Sequence, residues 1–429
     1  LQYYMEKYIE QAVSDYDIQN GAAGIMMNVK TGEILAMESY GNFDLNNYLA
    51  ISDSQQEEID AIEDEEERGE KLAEAQRKQW RNKALSDTYE PGSVFKIITL
   101  SIALEEGVID MDDTFYCGGS IEVRGRTDPV KCWKTAGHGT QTLTEALENS
   151  CNCALVQIGE KIGAEKFYEY VKAFGLMDTT GVDLSGESGS IWWPTDEFCD
   201  PNNLSSLAAA SFGQTFNVTP MQMITAISAV ANGGSLMKPY IVSQITDSQG
   251  NAEKVNESTV VRQVISEETS AKVRQILESV VSNGTGKNAY VAGYRIAGKT
   301  GTSEKVSQNI VTGEKDYIVS ILGFAPANDP QIAVLVLLDS PSKSTGQYIS
   351  GGNMVAPVVG KILADSLNYL GVEPQYTDEE KELVDAQVPN VRDMTVSKAQ
   401  ETLENEGFSV RIVGDGETVL SQLPAANIT

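Results

Sequence analysis

Between Glu90 and Gly107 a Pro91-Gly92 pair is followed by Val94, Phe95, Ile97, Ile98, Leu100, Ile102 and Leu104, with almost no polar face. A helix that is apolar nearly all round is buried, so the domain has to be built around this segment. Within it stands Lys96, at i+3 from Ser93 and therefore on the same helical face. An unpaired ammonium is costly in an apolar interior. Desolvation and a second nearby cation each lower a lysine pKa from its reference of ~10.4, which a general base for a serine hydroxyl needs. Taken alone, S-x-x-K is a weak signal.

The 429 residues suffice for two or three domains, or for one large domain and an appendage. Leu1, Met5, Ile9, Ala12 and Tyr16 mark an amphipathic opening helix. Apolar runs around Lys30-Thr31-Gly32-Glu33 predict a β-hairpin. Helices are expected over about 142–162, 166–174, 219–231 and 355–370, and strands over 294–302, 317–324 and 332–339. The short Ala327-Asn-Asp-Pro connection makes the last two strands antiparallel. The fold class is α+β, an antiparallel sheet flanked by helices.

Of the formal net charge of −30, residues 57–74 supply ten acidic against two basic side chains. With only Ile59, Ile62 and Leu72 as an apolar stripe, they predict a solvated surface helix within an acidic insert at about 53–80. Residues 371–387 are polar and acidic and read as a linker. From 388 to 429 a small module follows, with Thr395 capping a helix that runs to Glu406, Gly407 ending it, and Phe408–Val413 alternating as a strand.

So acidic a chain repels phosphate backbones and anionic lipid, so no nucleic-acid partner is expected. His138 is the only histidine, which excludes HExxH zinc hydrolases and any site built on two imidazoles. No apolar run approaches the ~18 residues of a membrane span. Leu1 reads as a cut point, with any anchor upstream of it.

Two readings of the chemistry compete. Gly293-Tyr-Arg-Ile-Ala-Gly298-Lys299-Thr300 satisfies the P-loop pattern, and Ile332–Asp339 looks like an apolar strand ending in a magnesium-binding aspartate, so an NTPase is one alternative. A P-loop requires Gly-Lys-Thr to open a helix, yet Gly301-Thr302-Ser303 and a polar stretch to Asp316 follow without helical period. The other reading joins Ser93-Val-Phe-Lys96, Ser150-Cys151-Asn152 and Lys299-Thr300-Gly301-Thr302. That order is shared with β-lactamases and penicillin-binding proteins. In it, Gly301 lets a ligand approach the strand backbone, and the lysine and two hydroxyls hold a carboxylate.

On these motifs, and on Lys30–Ala36, Tyr89–Ser93, His138-Gly139, Phe212-Gly213-Gln214 and Val218-Thr219-Pro220, the first 370 residues resemble the transpeptidase domain of class B penicillin-binding proteins. Val388-Pro389-Asn390-Val391 and Val419–Pro424 resemble a PASTA module, a pairing similar to the septal or sporulation branch. The resemblance implies the penicillin-binding transpeptidase fold with a helical subdomain, and a peptidoglycan D,D-transpeptidase acylated by β-lactams. It implies Ser93 as nucleophile, Lys96 as its base, Ser150 as proton relay, and Asn152 as a ligand to the substrate amide or to Lys96. Lys299, Thr300, Gly301 and Thr302 would bind substrate, and the Ser93 and Thr302 amides would form the oxyanion hole. It also implies stem-peptide substrates, membrane partners of the division or sporulation machinery, and a place on the outer face of the cell membrane, anchored by a segment absent from this chain. A catalytically silent wall-binding or scaffold protein is the alternative from another class.

No cofactor is required for that chemistry. Cys117, Cys132 and His138, grouped around a short hairpin, nevertheless suit a structural zinc, with Asp128 or an unidentified residue as fourth ligand. A Cys117–Cys132 disulfide and free thiols are the other readings. Cys151 and Cys153 are expected to pack behind the active site rather than bind metal.

Overall fold

The computed structural model describes residues 1–305, 315–384, 388–406, 408–414 and 416–422. Two compact units result, one of residues 1–291 and 295–372, the other of 292–294 and 373–429.

The first unit is organised on a five-stranded, wholly antiparallel sheet. Its order is Ala297–Glu304, Tyr317–Ala325, Ile332–Asp339, Ala22–Asn28, Ile34–Ser39. Ala22–Met27 and Ile332–Leu338 are buried throughout, so these central strands are covered on both faces. A Cβ on Gly24 would run into Met5 and Ile9, which places the helix Gln2–Asp15 on one face. Its neighbours Ala23 and Ile25 point the other way, into a core shared with Phe95, Ile98, Ile224 and Ile227. Helix Ala356–Tyr369 packs on Gln2–Asp15, and helices Pro220–Ala231 and Glu267–Ser282 also contact the sheet. The fold class is therefore α+β, an antiparallel sheet flanked by helices, as the sequence implied.

Every residue from Lys96 to Leu104 is buried. The apolar segment is thus the central helix, opened by one 3-10 turn at Gly92–Phe95 and continuing as an α-helix over Lys96–Glu105. The single helix expected over 142–162 is two: Leu143–Glu148 and Asn152–Ile162. The first starts with a capping box between Thr142 and Glu145. It ends in a Schellman motif, with Ser150 N–H bonded to Leu147 O and Cys151 N–H to Ala146 O. Ser150, at φ +51°, takes the left-handed position that usually falls to glycine. Apolar periodicity continues across this break, and so it hid the turn.

The acidic insert forms two helices rather than one, Asp53–Asp60 and Glu65–Gln79, capped by Ser52 and Asp64. Ile59 is their only buried residue, in keeping with a solvated surface.

In the second unit, residues 378–384 of the expected linker are helical. Helix Val396–Asn405 follows Thr395, whose side chain makes no capping bond. Phe408–Val413 joins no β-ladder; the strand-like pairing described nearby is an isolated bridge between Thr395 and Thr418. Gln422 ties the unit together, accepting from Val391 N–H at 2.8 Å and donating to Pro389 O at 3.0 Å. Gly407, Leu423, Pro424 and the stretch 306–314 lie outside the described residues.

Candidate active site

Ser93 sits in the 3-10 turn that opens the central helix. The turn is braced from behind by two segments. Gly92 N–H donates to Gly213 O at 2.8 Å, and Tyr89 and Val218 exchange backbone hydrogen bonds of 3.0 and 3.1 Å. Ser93 N–H falls among the first amides of a helix, which have no intrahelical partner and so remain available to a ligand.

One turn on, Lys96 is wholly buried. Its ammonium donates to Ser150 O at 2.8 Å, Ser150 Oγ at 3.1 Å and Asn152 Oδ1 at 2.8 Å. Burial pulls its pKa down to about 8, against a smaller upward pull from the neighbouring sulfurs of Cys151, Cys132 and Cys153. Asn152 is fixed at its other end by Nδ2–H donating to Lys131 O at 3.3 Å. The left-handed turn thus points both the hydroxyl and the carbonyl of Ser150 at one lysine.

Strand Ala297–Glu304 is an edge strand, paired only with Tyr317–Ala325. Strand alternation puts Lys299 on the opposite face from Thr300 and Thr302. Lys299 is fully buried, with Nζ 3.3 Å from Thr300 O. Burial, and then the charge of Lys96, hold its pKa well below the usual lysine range. Thr302 is exposed, its Oγ1 accepting from Gly351 N–H at 3.2 Å. Gly301 also serves packing: a Cβ there would lie 2.6 Å from Ser320 Oγ and 3.0 Å from Pro91 O. Its lack of a side chain lets the edge strand close on the Ser93 turn. The P-loop alternative fails on the same strand. Gly298, Lys299 and Thr300 are paired with Gly323, Leu322 and Ile321 in mid-ladder, so they open no helix to cradle phosphates.

Cys117, Cys132, His138 and Cys151 bring their ligand atoms within 4.8 Å of one another. Cys132 Sγ lies 3.9 Å from Cys151 Sγ and 3.6 Å from His138 Nδ1. Four ligands at ~2.3 Å around a tetrahedral zinc stand roughly 3.8 Å apart, so this cluster can hold a metal ion with little contraction. His138 Nε2 is buried without a hydrogen-bond partner. Hydrogen bonding from the Cys151 and Cys153 thiols holds Cys132 well below the usual thiol range, favouring the thiolate that a metal requires. Three earlier expectations change. Cys151, assigned to packing, is the fourth member; Asp128 is exposed and outside the group; and all five cysteines are free, with no Cys117–Cys132 disulfide. The one cue in the sequence was the position of Cys151 inside the Ser150-Cys151-Asn152 motif.

Ser93, Lys96, Ser150, Asn152 and the Lys299 strand thus converge at the mouth of one buried helix. The penicillin binding protein transpeptidase domain model matches residues 22–364, and the PASTA domain model residues 386–429. The chain belongs to the penicillin-binding protein transpeptidase family. It is 41% identical over 429 residues to Stage V sporulation protein D of Bacillus subtilis, covering 98% of this chain and 61% of that protein. It is 27% identical to the peptidoglycan D,D-transpeptidase FtsI of Escherichia coli, covering 87% and 55%. Among solved structures, penicillin-binding protein 3 of Mycobacterium tuberculosis complexed with ampicillin matches at a TM-score of 0.73 and 28% identity, covering 88% of this chain and 78% of that one. The chain spans about half to three-fifths of the curated relatives' length. No helix among the described residues is long and apolar enough to cross a membrane.

Proposed function

We propose that this chain is a peptidoglycan D,D-transpeptidase that cross-links stem peptides through an acyl-enzyme on Ser93. The observation that carries the reading is Lys96: a buried lysine one turn from Ser93, held to both Ser150 and Asn152 and pushed down to about 8. At that pKa a useful fraction is the neutral amine near neutral pH, able to take the Ser93 proton. Ser93 Oγ attacks the carbonyl of the penultimate D-Ala, and the terminal D-Ala leaves as an amine protonated through Ser150. The amides of Ser93 and Thr302 stabilise the oxyanion, where loss of one donor typically costs ~10²–10³ in rate. Thr302, exposed, and Thr300, buried on the same strand face, hold the substrate carboxylate, with Lys299 on the opposite face of the strand. An amine of a neighbouring stem then captures the acyl group.

β-Lactams acylate the same serine. One relative is a stage V sporulation protein and another a peptidoglycan D,D-transpeptidase, and we place this chain in the sporulation or division machinery, on the outer face of the membrane. Cys117, Cys132, His138 and Cys151 would hold a structural zinc, which would bind their thiolates and imidazole and fix the Ser150 turn without a part in acyl transfer.

The test is D-Ala release from a D-Ala-D-Ala pentapeptide donor with an acceptor amine supplied. Release with formation of the cross-linked product, abolished by Ser93→Ala, is expected. A chain that binds the donor yet releases no D-Ala would be a silent wall-binding protein.

A further inference from the structure

Lys131, Trp133 and Lys134 are exposed around the buried Cys132, and Trp133 is 59% open to solvent. In a chain of net charge −30, residues 129–144 hold two lysines and no acidic side chain. Among the described residues, neither of these two ammonium groups makes a hydrogen bond or an ion pair. A lone exposed aromatic means little, but every member of this patch is tied to the second catalytic motif. Trp133 Nε1–H donates to Asn149 O at 2.9 Å, one residue before Ser150. Lys131 O accepts from Asn152 Nδ2–H at 3.3 Å. The backbone N–H groups of Lys134 and Asn152 share the Cys132 sulfur.

The segment is braced as well. Cys132 N–H donates to Gly119 O at 2.9 Å, and the Trp133 ring meets His138 edge to face at 5.4 Å between centroids. An indole fixed at its nitrogen offers a ring face to a ligand with little ordering left to lose. Which reactant meets it follows from the chemistry. The donor carboxylate belongs to Thr300 and Thr302 on the edge strand, and the leaving D-Ala amine is protonated through Ser150. By microscopic reversibility the acceptor amine enters where that amine left. Its nitrogen bonds to the acyl carbon, the bond from that carbon to Ser93 Oγ breaks, and the amine proton returns to Ser93 Oγ through Ser150. The acceptor therefore approaches beside Ser150, on the side of the site that carries Trp133.

We infer that Trp133, with Lys131 and Lys134, binds the acceptor strand: a peptide that carries a free carboxylate beyond its attacking amine. The indole packs on the peptide, and the two ammonium groups attract the carboxylate. The inference rests on the transpeptidase reading and adds to it where the second substrate binds and what charge it carries.

The test is steady-state transpeptidation by the full chain with a D-Ala-D-Ala pentapeptide donor and two acceptors. One is the tripeptide L-Ala-γ-D-Glu-X, where X is whichever of lysine and diaminopimelate the wild type accepts; the other is the same peptide with the glutamate carboxylate amidated. Lys134→Glu should raise KM for the carboxylate acceptor about fivefold, the order of one exposed charge pair, and raise it less for the amidated one. Trp133→Ala should raise KM for both about tenfold, the cost of leaving roughly 60 Å² of apolar surface in water. Trp133→Phe keeps a ring and loses the bond to Asn149 O, so it should recover most of that loss. The controls are kcat/KM for the donor and the rate of β-lactam acylation, neither of which involves the acceptor. Equal effects of Lys134→Glu on both acceptors, no effect on either, or a loss in donor kcat/KM overturn the inference. So does an acylation loss shared by Trp133→Ala and Trp133→Phe, which would make the indole a brace for the Ser150 turn. A wild type that neither reacts with a β-lactam nor releases D-Ala would instead count against the transpeptidase reading itself.

Discussion

Asn152 Oδ1 accepts a 2.8 Å hydrogen bond from Lys96 Nζ, joining the second motif to the first across 56 residues. Because Lys96 is fully buried, the bond sets where its proton resides as well as where the side chain points. With three acceptors the charged form is well satisfied, while burial opposes it; the outcome is a pKa of about 8.

Acylation by a β-lactam should therefore rise with pH, about tenfold per unit at low pH, and level off above about 8, where Lys96 becomes the free base. Lys299→Met removes a second buried cation and should move the midpoint upward. Stability follows the same group. Its folded pKa lies below the unfolded ~10.4, so the unfolded chain binds more protons between the two values and the domain gains stability as pH rises through that window. Stopped-flow acylation and denaturant titrations at a series of pH values check both signs.

Ser150 allows backbone and side chain to be separated. Ser150→Ala and Ser150→Gly both remove the hydroxyl that Lys96 contacts, and both should slow acylation by about 10²-fold or more. Only glycine accepts φ +51° without penalty, so Ser150→Gly should be more stable than Ser150→Ala by about 1 kcal/mol. Equal stabilities would mean that the left-handed turn is not strained.

The cysteine cluster makes a claim about composition. Protein purified without chelator should contain about one zinc per chain, and Cys132→Ser or Cys151→Ser should lose it along with several degrees of thermal stability. Acylation should fall in parallel, since Cys151 lies between Ser150 and Asn152. Elemental analysis alongside thiol titration reads this directly; metal-free protein with full stability and activity contradicts it.

Gly301→Ala tests the packing of the edge strand on the serine turn. The added methyl meets Ser320 Oγ at 2.6 Å and Pro91 O at 3.0 Å, one of them backbone, so a loss of about 1–3 kcal/mol in unfolding free energy is expected. If stability holds while only ligand affinity drops, the glycine serves substrate approach alone.

What the sequence disclosed and what it hid divide along physical lines. The central helix was legible because total burial leaves a continuous apolar run from Val94 to Leu104. The hairpin and the last two strands were legible from short turns between apolar runs. The break at Ser150 was not, because a Schellman turn preserves the apolar spacing on either side and a serine there carries no glycine signal. Cys151 was missed because its place beside Asn152 in the second motif pointed to packing behind the active site, whereas the cluster is assembled by tertiary packing of a hairpin on a helix cap. The packing role of Gly301 was not legible, since a strand sequence does not say which element lies against it.

Intact-mass spectrometry after exposure to a β-lactam tests the central claim most directly. The account predicts a single covalent adduct per chain with the mass of the intact antibiotic, mapped by peptide digestion to Ser93 and absent from Ser93→Ala. No adduct on the wild type, or one that persists in Ser93→Ala, would contradict it.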